Sequence, residues 1–413
     1  MSNLNILVLD RKSPILVSLV CLFYIYVLQL PLSQMLADAV SLPDYGIQDW
    51  VNAYLFASLS AIIFVSAIFF SLKERVTISN VMISFEAIPI KKLSMPIVFL
   101  LVTLFALWSY LMVSYKIGIT IYSDFDPLPY HLTGALFYGR LLLQPLTMAY
   151  LAMGFRNSKN KWIVFVFLVL LGSWVSMASG SRFIALLFSV PLMLLFNGRK
   201  RYVIAFLVFL AFVTVATLSR SLYLPYVIGG EYILIYANDQ YVDALLENLY
   251  MLPISYVIYR PMGMGELLMT LDYGQITTSF YAALQKSFAY FFPFLIEPPG
   301  VSIKNIYGLN DDAFGGFSLD MFSIFWLSFG GNWFLYIAGL IIIGFLLGKT
   351  YIFAALGLEQ LGLRQLQIPF FILLFILAFE GRGFLMPWLF LASWIFSRDW
   401  VPRAASRLLS LFR

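Results

Sequence analysis

Apolar residues in this chain fall in long runs separated by short polar stretches rich in Lys and Arg. The runs cover about residues 14–36, 50–72, 94–115, 135–154, 162–179, 183–197 and 202–219, and then 321–348, 366–379 and 384–397. A helix needs about 20 residues to cross the roughly 30 Å of bilayer hydrocarbon. A backbone in that medium must satisfy its own hydrogen bonds, which runs of this length do as helices. The pattern therefore predicts about ten membrane helices: seven within 14–219, a more polar stretch over 220–317, and three within 318–413 ahead of a short tail. Ala37-Asp38-Ala39 resembles a signal-peptidase site, but the run before it is longer than the 7–15 residues of a signal core, which predicts a retained first span.

The run from Met321 to Gly348 is too long for one crossing, about 42 Å at 1.5 Å per residue. A first helix, a bend at Gly330-Gly331 and then the true span is the expectation. One long tilted helix is the alternative.

Composition narrows the class. With 62% apolar and 11% charged residues and a mean hydropathy of +0.89, the 413-residue chain departs from soluble globular domains, which carry about 25% charge. It reads as a single all-α polytopic integral membrane domain. Cys21 and His131 are the only cysteine and histidine, so an intrachain disulfide, a Cys-based metal site and a His-rich zinc site are all excluded. No cofactor is called for, and no basic cluster interleaved with aromatics suggests nucleic acid.

Charge distribution sets the orientation. With the N-terminus inside, 18 of the 26 Lys and Arg fall in inner segments, which by the positive-inside rule makes both ends cytoplasmic. The longest outer segment, 220–317, holds twelve tyrosines, six prolines and nine acidic residues, unlike either a linker or a span. Its tyrosines suit interface belts and sugar platforms alike.

Two tight turns stand out on the same outer side: Ser179-Gly180-Ser181-Arg182 and Glu380-Gly381-Arg382-Gly383. Only 37 residues separate Lys161 from Arg199, and only 33 separate Arg364 from Arg398, so each hairpin is short for two crossings. Arg182 and Arg382 are thus drawn toward the membrane, where a charge persists only beside a polar cavity or a partner. The guanidinium matches phosphate oxygens bidentately, so the functional reading is an anion site in one outward-facing cavity. Snorkelling to headgroups or pairing with a carboxylate is the structural alternative.

In these features the chain resembles the O-antigen polymerases, the oligosaccharide repeat-unit polymerases of the Wzy type. The resemblance rests on the turn ending at Arg182 after five spans, the large outer loop from about Arg220, the Gly315–Gly348 segment with its Phe-Ser-Leu start and Phe-Gly-Gly step, and the late turn at Arg382. It covers the whole layout, but only about 60 residues by motif. Where a glutamate is expected ahead of the glycine-spaced helix, this chain has Asp320.

The resemblance implies a metal-independent glycosyltransferase of GT-C-like architecture in the bacterial inner membrane, with a periplasmic active site. It would transfer a growing glycan from undecaprenyl diphosphate to a new lipid-linked repeat unit, alongside a chain-length regulator and a flippase. Arg182 and Arg382 are the expected stabilisers of the departing diphosphate, with Arg220 and Arg140 as further binding candidates. Asp320 and Tyr223 are expected on the substrate side. Glu380 is the first choice for a base, ahead of Asp320, Asp239, Asp243, Asp311 and His131. An O-antigen ligase or a lipid-linked oligosaccharide flippase would share parts of this layout.

Overall fold

The computed structural model describes residues 12–28, 45–73, 95–119, 128–129, 132–196, 200–229, 320–360, 366–379 and 386–397, with isolated positions between 233 and 288. Among the described residues there is no strand. Among the described residues four helices are long and apolar enough to cross a membrane: Ile47–Lys73, Lys161–Ser179, Lys200–Leu222 and Trp333–Glu359. Large apolar side chains such as Phe99, Ile163, Phe334 and Leu55 remain exposed on the helix surfaces, as lipid-facing groups would.

The chain divides into two compact units, one formed by Met1–Ile88 with Ile258–Arg413, the other by Pro89–Val257. In the first unit, α1 (Lys12–Phe23) continues through a wider turn, Tyr24–Leu28. It is followed by α2 (Ile47–Lys73), whose Asp49 accepts a hydrogen bond from the Gly46 amide at 3.0 Å and so closes the helix start. In the second unit come α3 (Met95–Ser114), α4 (Leu132–Phe155), α5 (Lys161–Ser179), α6 (Arg182–Ser189, tightening into Val190–Leu195), α7 (Lys200–Leu222) and α8 (Leu224–Ile228). The chain then returns to the first unit with α9 (Met321–Ser328), α10 (Trp333–Gln360), α11 (Gln367–Leu377) and α12 (Met386–Phe396).

The long run after residue 320 breaks at the glycine pair as its length predicts. Gly330 and Gly331 take φ values of 60° and 69°, where a Cβ is disfavoured, and the Asn332 side chain accepts from the Leu335 amide to start α10. The piece ahead of the break is a core element: Met321, Phe322, Phe325 and Trp326 are buried.

The first unit is centred on α10 against α2. Gly344 and Gly348, one turn apart, let the backbones approach: a Cβ at 344 would stand 2.7 Å from the Phe64 carbonyl oxygen, and one at 348 would enter the Ser71 hydroxyl. Small residues four apart are the usual device for close helix contact in apolar surroundings. Further along, Ser60 and Tyr336 share a 2.7 Å hydrogen bond, and Phe56, Trp326 and Trp333 pack around the Tyr336 ring at centroid distances of 5.1–6.0 Å. The Gln367 amide ties α11 to α10 by donating to the Ala355 carbonyl at 3.1 Å.

In the second unit α5 and α6 pack on α7, with Gly172 admitting the Phe212 ring. Polar side chains join α3 to α4: the Trp108 indole donates to the Leu136 carbonyl at 3.0 Å, and Gln144 donates to the Phe105 carbonyl at 3.1 Å and to Ser109 at 2.8 Å.

Gly344→Val would drive a branched side chain into the α2 backbone. It is expected to cost about 1–3 kcal/mol of stability, read as a lowered thermal midpoint of the detergent-purified protein. An unchanged midpoint would mean that α2 and α10 do not meet at this glycine.

Candidate active site

The Arg182 turn is built from backbone geometry and two serine side-chain contacts. Gly180 ends α5 in the left-handed conformation, φ 59°, and its amide donates to the Ser176 carbonyl at 2.9 Å. Ser181 is extended and caps α6, accepting from the Ile184 amide at a long 3.5 Å, while its own amide donates to Ser179 Oγ at 3.1 Å. Arg182 is therefore the first residue of α6, beside a helix N-terminus that carries partial positive charge of its own.

Arg220 does not begin the outer loop: the helix continues past the apolar run, and this residue lies in the last turn of α7. Its Nε donates to the Gly180 carbonyl at 2.7 Å. Its stem lies so close that a Cβ at Gly180 would be 3.1 Å from Arg220 Cγ and 2.7 Å from Leu224 Cδ1. One residue earlier, Ser219 donates to the Met177 carbonyl, so two consecutive side chains of α7 bind the last turn of α5 and its C-cap. Tyr223 follows at the start of α8 and is 37% exposed.

Arg140 is fully buried in α4 and does not snorkel. It donates to the Gly118 carbonyl at 3.5 Å and to the Val175 carbonyl of α5 at 3.4 Å, both long, and its Nε has no hydrogen-bond partner. Two neighbouring positions also carry unpartnered buried oxygens: Gln144 Oε1, one turn along α4, and Ser176 Oγ, next to Val175. Lys116 is a further cation at this end of the unit. It sits at φ 53° and its ammonium donates to the Ile228 carbonyl at 3.0 Å, closing the C-terminus of α8. Sequence reasoning did not single out Lys116, although a lysine two residues before Gly118 at the end of an apolar run was the available signal.

The structure thus brings the Arg182 turn, Arg220, Tyr223 and the Arg140 contact on Val175 to one end of the second unit. Asp320 belongs to the first unit, where it caps α9. Its Oδ1 accepts from Tyr26 Oη at 2.6 Å and from the amides of Phe322 and Ser323 at 2.8 and 3.1 Å, and its Oδ2 accepts from Ser323 Oγ at 2.7 Å. Burial pushes this carboxyl above the ordinary carboxylate range, against those four hydrogen bonds, which favour the charged form. Such an arrangement anchors a helix start and ties α1 to it. Arg382, Glu380, His131, Asp239 and Asp311 lie outside the described residues, and Asp243 is described only as an isolated helical position. Among the described residues no group of His, Cys, Asp and Glu is arranged to hold a metal ion.

No protein-family model matches the chain, nor does any curated protein or solved structure.

Two substitutions check this geometry. Gly180→Ala carries the cost of a left-handed non-glycine residue, about 1–2 kcal/mol, plus the clash with Leu224. It should lower the thermal midpoint of the detergent-purified protein, and an unchanged midpoint would mean that the turn is not closely covered by Leu224. Asp320→Ala should cost about 1–3 kcal/mol through the lost cap and the stranded Tyr26 hydroxyl, visible as an earlier unfolding transition; no shift would argue against the cap.

Proposed function

We propose that the chain polymerises undecaprenyl-diphosphate-linked oligosaccharide repeat units at the periplasmic face of the bacterial inner membrane, as a metal-independent glycosyltransferase. The observation that carries this reading is the 2.7 Å bond from Arg220 to Gly180, which fixes the turn bearing Arg182 among further cations at one end of the second unit. A preorganised cationic site is what a departing diphosphate requires: its negative charge grows in the transition state, and fixed donors stabilise it without reorganising.

In this reading ten spans place both termini in the cytoplasm and both arginine turns outside, in a GT-C-like architecture. The acceptor hydroxyl oxygen of the new repeat unit attacks the anomeric carbon of the growing glycan. The bond from that carbon to the diphosphate oxygen breaks with its electron pair, and the hydroxyl proton passes to a base, for which Glu380 is the first candidate. Arg182 holds the leaving diphosphate, and Arg140 lends its buried charge to the same end of the second unit; Arg382 is the second stabiliser expected from the sequence resemblance. A chain-length regulator and a flippase complete the expected partnership.

Complementation of a deletion strain tests the proposal. Arg182→Ala and Arg382→Ala, each present in the membrane at normal abundance, should collapse the surface-polysaccharide ladder to a single added unit, a loss of 10²-fold or more in turnover on the order of that for removing one transition-state donor. A normal ladder would remove both arginines from the chemistry. Glycan that never reaches the surface would favour a flippase or a ligase.

A further inference from the structure

Four observations converge on one residue of the second unit. The Arg220 Nε–H is committed to the Gly180 carbonyl at 2.7 Å. The same carbonyl belongs to a residue in the left-handed region, φ 59°, whose missing Cβ leaves the space taken by the Arg220 stem and the Leu224 methyl. The adjacent Ser219 hydroxyl binds the Met177 carbonyl, so the end of α7 follows the end of α5 at two successive points. Finally, the residue two positions beyond that gripped carbonyl is Arg182, which opens α6.

We infer that Arg220 is a positioning residue: it acts on the Gly180 carbonyl, setting where the turn places Arg182, and not as a direct ligand of the diphosphate. The carbonyl lies at the αL end of α5, where a helix leaves its last carbonyl groups without intrahelical partners. A guanidinium satisfies that acceptor with a charge-assisted bond, which is stronger than a neutral one and directional. The direction matters because a 1 Å displacement of a binding group costs about 10²-fold in rate. The link from turn position to turnover rests on the proposed role of Arg182; the clamp itself does not.

Side-chain chemistry separates positioning from charge. Glutamine puts an amide nitrogen at the place of Nε, one atom beyond Cδ, and carries no charge. Lysine keeps the charge but puts a methylene there, with its ammonium one bond further out. A residue that works by gripping Gly180 is therefore rescued by Arg220→Gln and not by Arg220→Lys; a residue that works by charge on a diphosphate shows the reverse.

The experiment uses the full chain in nanodiscs and in the complemented strain. Hydrogen–deuterium exchange of the peptide covering residues 176–186 should be about tenfold or more faster in Arg220→Ala and Arg220→Lys than in the parent protein, and within about threefold of it in Arg220→Gln. Peptides of α10 in the first unit should be unchanged in all three, which shows that the variants are folded. The polysaccharide ladder should shorten in the Ala and Lys variants and stay long in the Gln variant. Equal exchange in all four proteins overturns the inference whatever the ladder shows, and so does a ladder restored by Lys but not by Gln. If the exchange pattern appears while the ladder is normal in every variant, Arg182→Ala included, the clamp stands and the polymerase reading falls.

Discussion

A polar group inside an apolar bundle has to find its partner within the protein, because neither hydrocarbon nor a buried aromatic core supplies one. In both units this constraint decides where helices end and what touches what. Asp320 starts α9 and binds the first helix through Tyr26; Arg220 ends α7 and binds the last residue of the α5 turn. The Gln367 amide and the Tyr336 hydroxyl work in the same way between α11, α10 and α2. Apolar packing brings helices near each other, and these few bonds choose which end of one helix meets which end of the next.

The two units solve the same problem differently. In the first, glycines on α10 bring it close to α2 and short hydrogen bonds such as Ser60–Tyr336 join the helices, while Thr270 Oγ1, Trp326 Nε1 and Thr350 Oγ1 lie buried without a hydrogen-bond partner. In the second, a guanidinium stands fully buried in α4 with two long contacts and an unpartnered Nε, and a glutamine and a serine nearby each leave an oxygen without a partner. Among the described residues Arg140 is the one fully buried cation, and it belongs to the second unit.

Much of the helical layout was legible in the sequence because apolar run lengths speak directly about helices, as at Lys161–Ser179, whose two ends match the run to within a residue. The break at Gly330-Gly331 was legible for a similar reason: a largely apolar run of 28 residues exceeds one crossing, and the glycine pair is where a left-handed bend costs least. The position of Arg220 was misjudged because the apolar run stops short of it. The helix runs on through Ser219, Arg220 and Ser221 because the first two side chains find carbonyl partners on the α5 turn, 42 and 40 residues away. The pairing of Tyr26 with Asp320 left no local signal: Asp320 stands out as the acidic residue ahead of the glycine-spaced helix, but nothing marks Tyr26 as its partner, and only the fold brings them together.

That last pairing governs the order in which the protein can be assembled. Tyr26 and Asp320 are 294 residues apart, and the whole of Pro89–Val257 is synthesised between the two parts of the first unit. At about 5–20 residues per second, α1 and α2 wait roughly 15–60 s for the helices that will cover them. An apolar helix loses little by waiting in lipid, whose tails are as apolar as its eventual neighbours. The Tyr26 and Ser60 hydroxyls are different, since each lacks its native acceptor or donor for that whole interval. Biogenesis of this chain therefore has a built-in vulnerable period, and a truncation anywhere before residue 320 leaves the first helix without the carboxylate that anchors it.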